Sequence, residues 1–160
     1  MVKKPVAPLV LLACSMVLAA CDTTPPAIST LMKQVAQACQ DKSKDELRAC
    51  FAKEGVTADQ IDQSVGGWDA YFDKGENWNY SNISYVSMAD APNNKAIMPD
   101  WITMAQGENV GGIKFAPNLK VVGFILVSFK QPGGTEGGET LDVGIASDGS
   151  AKVAIEEPQH

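Results

Sequence analysis

The chain has 160 residues, a formal net charge of −6 at neutral pH and a single histidine. Nineteen acidic against thirteen basic residues, with no basic patch, exclude a nucleic-acid surface, which needs clustered Lys and Arg. The length suffices for one domain with a real core.

The first element is an export signal. Met1-Val2-Lys3-Lys4 is a short basic start, and Pro5 to Ala20 carries no charge. The core of that stretch, Leu9 to Ala20, is apolar except for Ser15. It falls well short of the roughly 20 residues that cross a bilayer as a helix. A basic start, a short apolar run and a small-residue exit predict a removed segment rather than part of the fold. The exit, Leu18-Ala19-Ala20-Cys21, resembles the lipobox of bacterial lipoproteins. The resemblance covers residues 1–21 only. It implies cleavage before Cys21, diacylglycerol on the Cys21 sulfur and acylation of the new amino terminus. Leu18 suits an ordinary secretory cut poorly, because that cut wants a small residue there. Leu11-Leu12-Ala13-Cys14 is a rival box, with a very short apolar run before it. An uncleaved signal anchor is the other alternative; its shortness and the early Pro5 and Pro8 stand against it. Asp22 resembles the inner-membrane retention signal of enteric-type lipoproteins. Other bacteria read that position differently, so inner versus outer membrane stays open.

The sequence then divides into a signal peptide (1–20), a lipidated tether (21–27) and a single domain (28–160). The expected location is the bacterial envelope, facing the periplasm and held by covalent lipid on Cys21, since two or three acyl chains hold far better than one. The tether, with Thr23-Thr24-Pro25-Pro26, reaches at most about 20 Å when extended, which keeps the domain close to its membrane. Removing residues 1–20 takes two lysines and no acid, leaving a charge of about −8; such a surface is repelled by anionic headgroups. Cys39 and Cys50 are the cysteines left over. In an oxidising compartment they are expected to form a disulfide, and their spacing is too wide for a redox Cys-x-x-Cys pair.

Helical periodicity begins with Ile28, Leu31, Met32, Val35 and Cys39 on one face. Ser43-Lys44-Asp45-Glu46 predicts a capped second start, with Leu47, Cys50 and Phe51 apolar and Gly55 as the stop. These two helices are expected to form a hairpin stapled by Cys39 and Cys50. Thr57-Ala58-Asp59-Gln60 is another capping box. It opens a third helix with Ile61, Val65, Trp68 and Phe72 on one stripe, weakened at Gly66 and Gly67. Trp78 to Met88 reads as a strand. Ala91-Pro92-Asn93-Asn94 reads as a loop, and Trp101 to Ala105 as a short turn ended by Gly107. Lys120 to Lys130 is apolar on both faces, which predicts a central strand covered on both sides. Val121, Gly123, Ile125, Val127 and Phe129 fall on one face, and Val122, Phe124 and Leu126 on the other. Gln131 to Glu139 reads as a Gly-rich loop. Thr140 to Ala146 alternates with Leu141, Val143 and Ile145 inward; Asp148-Gly149 turns the chain; Ala151 to Glu156 alternates with Val153 and Ile155 inward. The expected fold is α+β, with helices first and then an antiparallel sheet ending in a three-stranded meander.

The chemistry is read mainly by elimination. The only histidine is His160, so no Ser-His-Asp or Cys-His arrangement has an internal base. Histidine zinc sites fail for the same reason. Gly111-Gly112 and Gly133-Gly134 lack the context of a phosphate cradle and read as turn glycines. No cofactor and no metal are expected. Asp62, Asp69, Asp73 and Glu76 would form an acidic stripe on a continuous third helix, most simply a solvated face. The aromatics Trp68, Tyr71, Phe72, Trp78, Tyr80 and Tyr85 are expected in the core, where the third helix meets the first strand. Trp101 is the expected exposed anchor, and with Asp69, Asp73 and Glu76 it marks the candidate binding surface. The leading expectation is a non-enzymatic module that captures another envelope or periplasmic protein, as an accessory subunit or an immunity-type protein. The alternative is a small-ligand or glycan-binding domain, with a carboxylate-dependent hydrolase as its catalytic variant.

Overall fold

The computed structural model describes residues 24–159. The expected signal peptide, Cys14, Cys21, Asp22 and the lone His160 lie outside the described residues. The fold is α+β, helices first and antiparallel sheets second. No helix among the described residues is long and apolar enough to cross a membrane.

Helix α1 (Pro26–Asp41) starts with a proline at its first position, where no amide partner is needed. It buries Ile28, Leu31, Val35, Ala38 and Cys39, the face expected from its period. It ends where Lys42 takes a left-handed conformation. Helix α2 (Lys44–Ala49) is capped by Ser43, whose side chain accepts from the Glu46 amide (3.3 Å). Helix α3 (Ala58–Gly66) opens with a complete capping box. The Thr57 hydroxyl accepts from the Gln60 amide, and the Gln60 side chain accepts from the Thr57 amide. Gly66 and Gly67 do more than weaken this helix. They end it, and the chain resumes as the short helix α4 (Asp69–Phe72).

The main sheet contains β1 (Asn79–Ser87), β4 (Val121–Lys130), β5 (Glu136–Ile145) and β6 (Ala151–Val153), in the order β1-β4-β5-β6. All its pairings are antiparallel, and β4-β5-β6 is the expected meander. The turn into β6 uses Gly149 at φ 83°, as the Asp148-Gly149 signal predicts. A second sheet, β2-β3-β7, is built from β2 (Asn109–Val110), β3 (Ile113–Pro117) and β7 (Glu156–Gln159). Gly111 and Gly112 form its tight hairpin turn, both at positive φ. Helix α5 (Pro99–Ala105), expected only as a short turn, packs on β2 and β3.

Two cores lie on the two faces of β4. One gathers α1 to α4 against Ile125, Val127 and Phe129; the other gathers Ala91, Ile97 and Ala105 around Phe124. That is the double coverage predicted for this strand. The face assignment of its first residues differs from the expectation. A bulge between Val121 and Gly123 inserts one residue into the ladder, so the alternation slips. Val121 joins the Phe124 core, and Val122 packs on the helical side.

Four further expectations change. Cys39 and Cys50 are both buried, and both are free thiols rather than the expected staple. Helix α2 ends at Ala49, and the Cys50 Sγ turns back along it to donate to the Glu46 carbonyl (3.5 Å). The residues after α2 run extended instead: Val153 donates to the Cys50 carbonyl and Ala52 donates to the Val153 carbonyl, so this segment covers the edge of β6. Ile145, expected inward, is 42% exposed at the end of β5 beside the turn. Last, the Gly-rich run is a loop only to Thr135. Gly137 and Gly138 lie within β5, opposite Phe129 and Ser128. A side chain on Gly137 would meet the Tyr71 hydroxyl at 3.0 Å and the Trp78 ring at 3.1 Å, and one on Gly138 would run into the Val127 carbonyl of β4.

Candidate functional site

The acidic stripe does not form. Its four residues depend on one continuous helix, and the break at Gly66-Gly67 separates Asp62 from the rest. Asp62 pairs with Arg48 (2.6 Å) and Asp69 with Lys44 (2.5 Å), all at the exposed surface. Such pairs contribute little to stability. Asp73 caps a single 3₁₀ turn by accepting from the Gly75 amide (2.8 Å). Glu76 is exposed, and its carbonyl accepts from Gln131 (2.9 Å). None of Asp69, Asp73 and Glu76 joins Trp101.

Of the aromatic cluster, Trp68 and Phe72 are core, while Tyr71, Trp78, Tyr80 and Tyr85 pack half-buried against it. Trp68 and Phe72 are buried. Trp68 packs edge-on against Phe129 of β4 (6.1 Å), and Tyr71 stacks on the same ring (4.4 Å). Trp78, just before β1, packs edge-on against Tyr71 (5.2 Å). The Tyr71 hydroxyl also accepts from the Gly138 amide (3.1 Å), which ties α4 to β5.

Trp101 has a different place. It is half-buried and lines a cleft of about 520 Å³ between α5, the end of α3 and strand β5. Trp68 and Ser64 form the wall on the α3 side, Trp101 and Met104 the wall from α5. The remaining wall carries Glu139 and Asp142 of β5 and Glu156 at the start of β7. Three acidic residues therefore line one cleft, Asp142 with Glu156 as a pair and Glu139 apart from them along β5, and no basic residue lines it.

The register explains how. Leu141 and Val143 point into the helical core, so Asp142 between them faces the opposite side, where its cross-strand partner is Phe124. The chain leaves β6 at Val153 and reaches the second sheet at Glu156, which brings Glu156 against Asp142. Burial pushes the Asp142 carboxyl up to about 9, helped by its hydrogen bond to Glu156 and by the charge of that group. Burial also raises Glu156, against the opposite pull of the bond to Asp142. Glu139 is raised by burial alone. Two interacting carboxyls cannot both ionise cheaply. A directly interacting pair leaves no room between its carboxyls for the substrate bond or water that glycosidase pairs, ~5–9.5 Å apart, accommodate.

Sequence reasoning missed Asp142, Glu156 and Glu139. Two signals were available. Asp is depleted in strand interiors, and Asp142 sits between two inward residues of a confidently alternating strand. Glu156 follows a run whose inward residue, Ile155, was read correctly.

No family model matches the sequence, and no curated protein matches it. Among solved structures, the fold is similar to the helical cell shape determining protein Pgp2 from Campylobacter jejuni, with a TM-score of 0.39 and 13% identity. The match covers 82% of this chain and 41% of that one, a likeness too loose to carry a functional argument.

Proposed function

We propose that this protein is a lipid-anchored envelope protein whose domain binds a small ligand, of the glycan class, in the cleft beside Trp101. The observation that carries this reading is one cleft lined by the Asp142–Glu156 pair and by Glu139, with Trp101 and Trp68 in its walls. Aromatic faces stack on the apolar faces of sugar rings, and a few directed carboxyls accept from their hydroxyl or amino groups. The lipobox resemblance at Cys21 supplies the envelope half of the proposal, and the short tether holds the cleft near the membrane. The close contact of Asp142 with Glu156 favours binding over glycosidic chemistry at that pair.

The test is a titration of the soluble domain with neutral oligosaccharides and amino sugars, following the Trp101 indole resonance by NMR. Saturable shifts of the Trp101 indole and of the cleft backbone amides, the latter lost in Trp101→Ala, support the proposal. No saturable shift at millimolar concentration, with the domain folded, overturns it.

Capture of an envelope protein stands second. The exposed Met98 (50%) and Ile113 (46%) give it apolar surface. Recovery of a stoichiometric protein from detergent-solubilised envelope, lost on changing Met98 and Ile113 to Ser, would favour it over the cleft.

A further inference from the structure

Two short segments join the sheets, one from β3 to β4 and one from β6 to β7. Strand β6 ends at Val153, and β7 begins in the other sheet at Glu156. Between them, the Ala154 amide donates to the Asp142 carbonyl (2.8 Å) and the Ile155 amide donates to Asn118 Oδ1 (2.8 Å). Beside this segment the Asp142 and Glu156 side chains meet. Glu156 Oε1 is fully buried there and has no donor. Two ionised carboxylates in this position would repel each other and leave that acceptor orphaned. One proton between them removes both penalties. We propose that Asp142 and Glu156 hold one proton in common, that it clasps the β6–β7 crossover to β5, and that its loss loosens this wall of the cleft.

The surroundings leave the pair to itself. From β5, Glu139 lines the same cleft from the opposite face of the strand. Helices α3 and α5 bring Ser64, Trp101 and Met104, none of which titrates in the range concerned. Lys152 of β6 donates to the Ala49 carbonyl, and Glu157 of β7 accepts from Gln60. Burial, the contact and the charge of Glu156 push Asp142 up to about 9, so the pair releases its proton far above the ordinary carboxylate range. A carboxyl raised in the folded state contributes stability that is fully present below its unfolded value. That stability is lost progressively as pH rises through the folded one. The window therefore runs from about pH 4 to about pH 9.

The experiment follows the side-chain carboxyl carbons of ¹³C-labelled protein and the Trp101 indole resonance from pH 3 to pH 10. The expected result is a coupled titration of Asp142 and Glu156 near pH 9, with the Trp101 indole shifting in step. In Asp142→Asn, whose amide donates to Glu156 at every pH, the alkaline Trp101 transition should disappear. Both carboxyls titrating near pH 4 in the wild type would overturn the proposal, and that measurement needs no variant. A Trp101 transition that persists in a folded Asp142→Asn would overturn it too.

Discussion

Gly138→Ala separates a strand glycine from a loop glycine. In a loop the change would stabilise by about 0.4–1 kcal/mol, by restricting the unfolded chain. Gly138 instead pairs with Ser128 in β5, and an added Cβ would press on the Val127 carbonyl of β4. That obstacle is backbone in a central ladder, so it cannot swing aside as a flexible side chain would. Forcing extra volume into such a position costs about 1–3 kcal/mol. The strand shift also disturbs the Tyr71 hydroxyl, which accepts from the Gly138 amide (3.1 Å) and donates to its carbonyl (3.3 Å). Those bonds are partly solvated and add about 1 kcal/mol together. The net expectation is a loss of about 2–3 kcal/mol, or roughly 6–10 °C in Tm at this size. Urea denaturation of the soluble domain should show a lower midpoint with an unchanged slope. Tyr71→Phe alone should cost about 1 kcal/mol, and the double variant should lose less than the sum of the two. A Gly138→Ala protein as stable as the wild type, or more so, refutes the placement of Gly138 in β5 against the Val127 carbonyl.

Three other predictions concern the helices, the thiols and the anchor. Thr57→Ala removes one half of the α3 capping box and should cost about 1 kcal/mol in urea denaturation, whereas Thr57→Ser should cost far less. Cys39 and Cys50 are buried thiols pushed up to about 12 and about 11, chiefly by burial. They should resist alkylation at pH 8 while folded and both react after unfolding without reductant. A protein two hydrogens lighter by intact mass would restore the bridge expected from the sequence. Cys21→Ala should abolish acyl labelling in the native host; unchanged labelling sinks the lipoprotein assignment.

The sequence by itself determined the elements whose signals are local. Apolar period placed α1, the Thr57–Gln60 pattern placed the start of α3, and unbroken apolarity marked β4 as central. Alternation separated by Asp148-Gly149 placed β5 and β6. These signals work because a helix or strand repeats over a few residues, and a cap or turn needs only its neighbours. The tertiary structure decided everything that depends on two distant segments meeting. Gly137 and Gly138 read as a loop because what excludes their side chains, the Tyr71 and Trp78 rings at one and the Val127 carbonyl at the other, lies elsewhere in the chain. The extended path after Cys50 is set by the free edge of β6, which no local pattern announces. The second sheet is a pairing of β3 with the last strand, and its shortness hides it from any periodicity. The candidate site depends on the same kind of meeting. Trp101 was chosen from its position in a polar stretch, and it does line the cleft. Its acidic companions come from β5 and β7, not from the third helix. Asp142 and Glu156 are ordinary surface-type acids in the sequence; the crossover between two sheets brings them together and half-buries them.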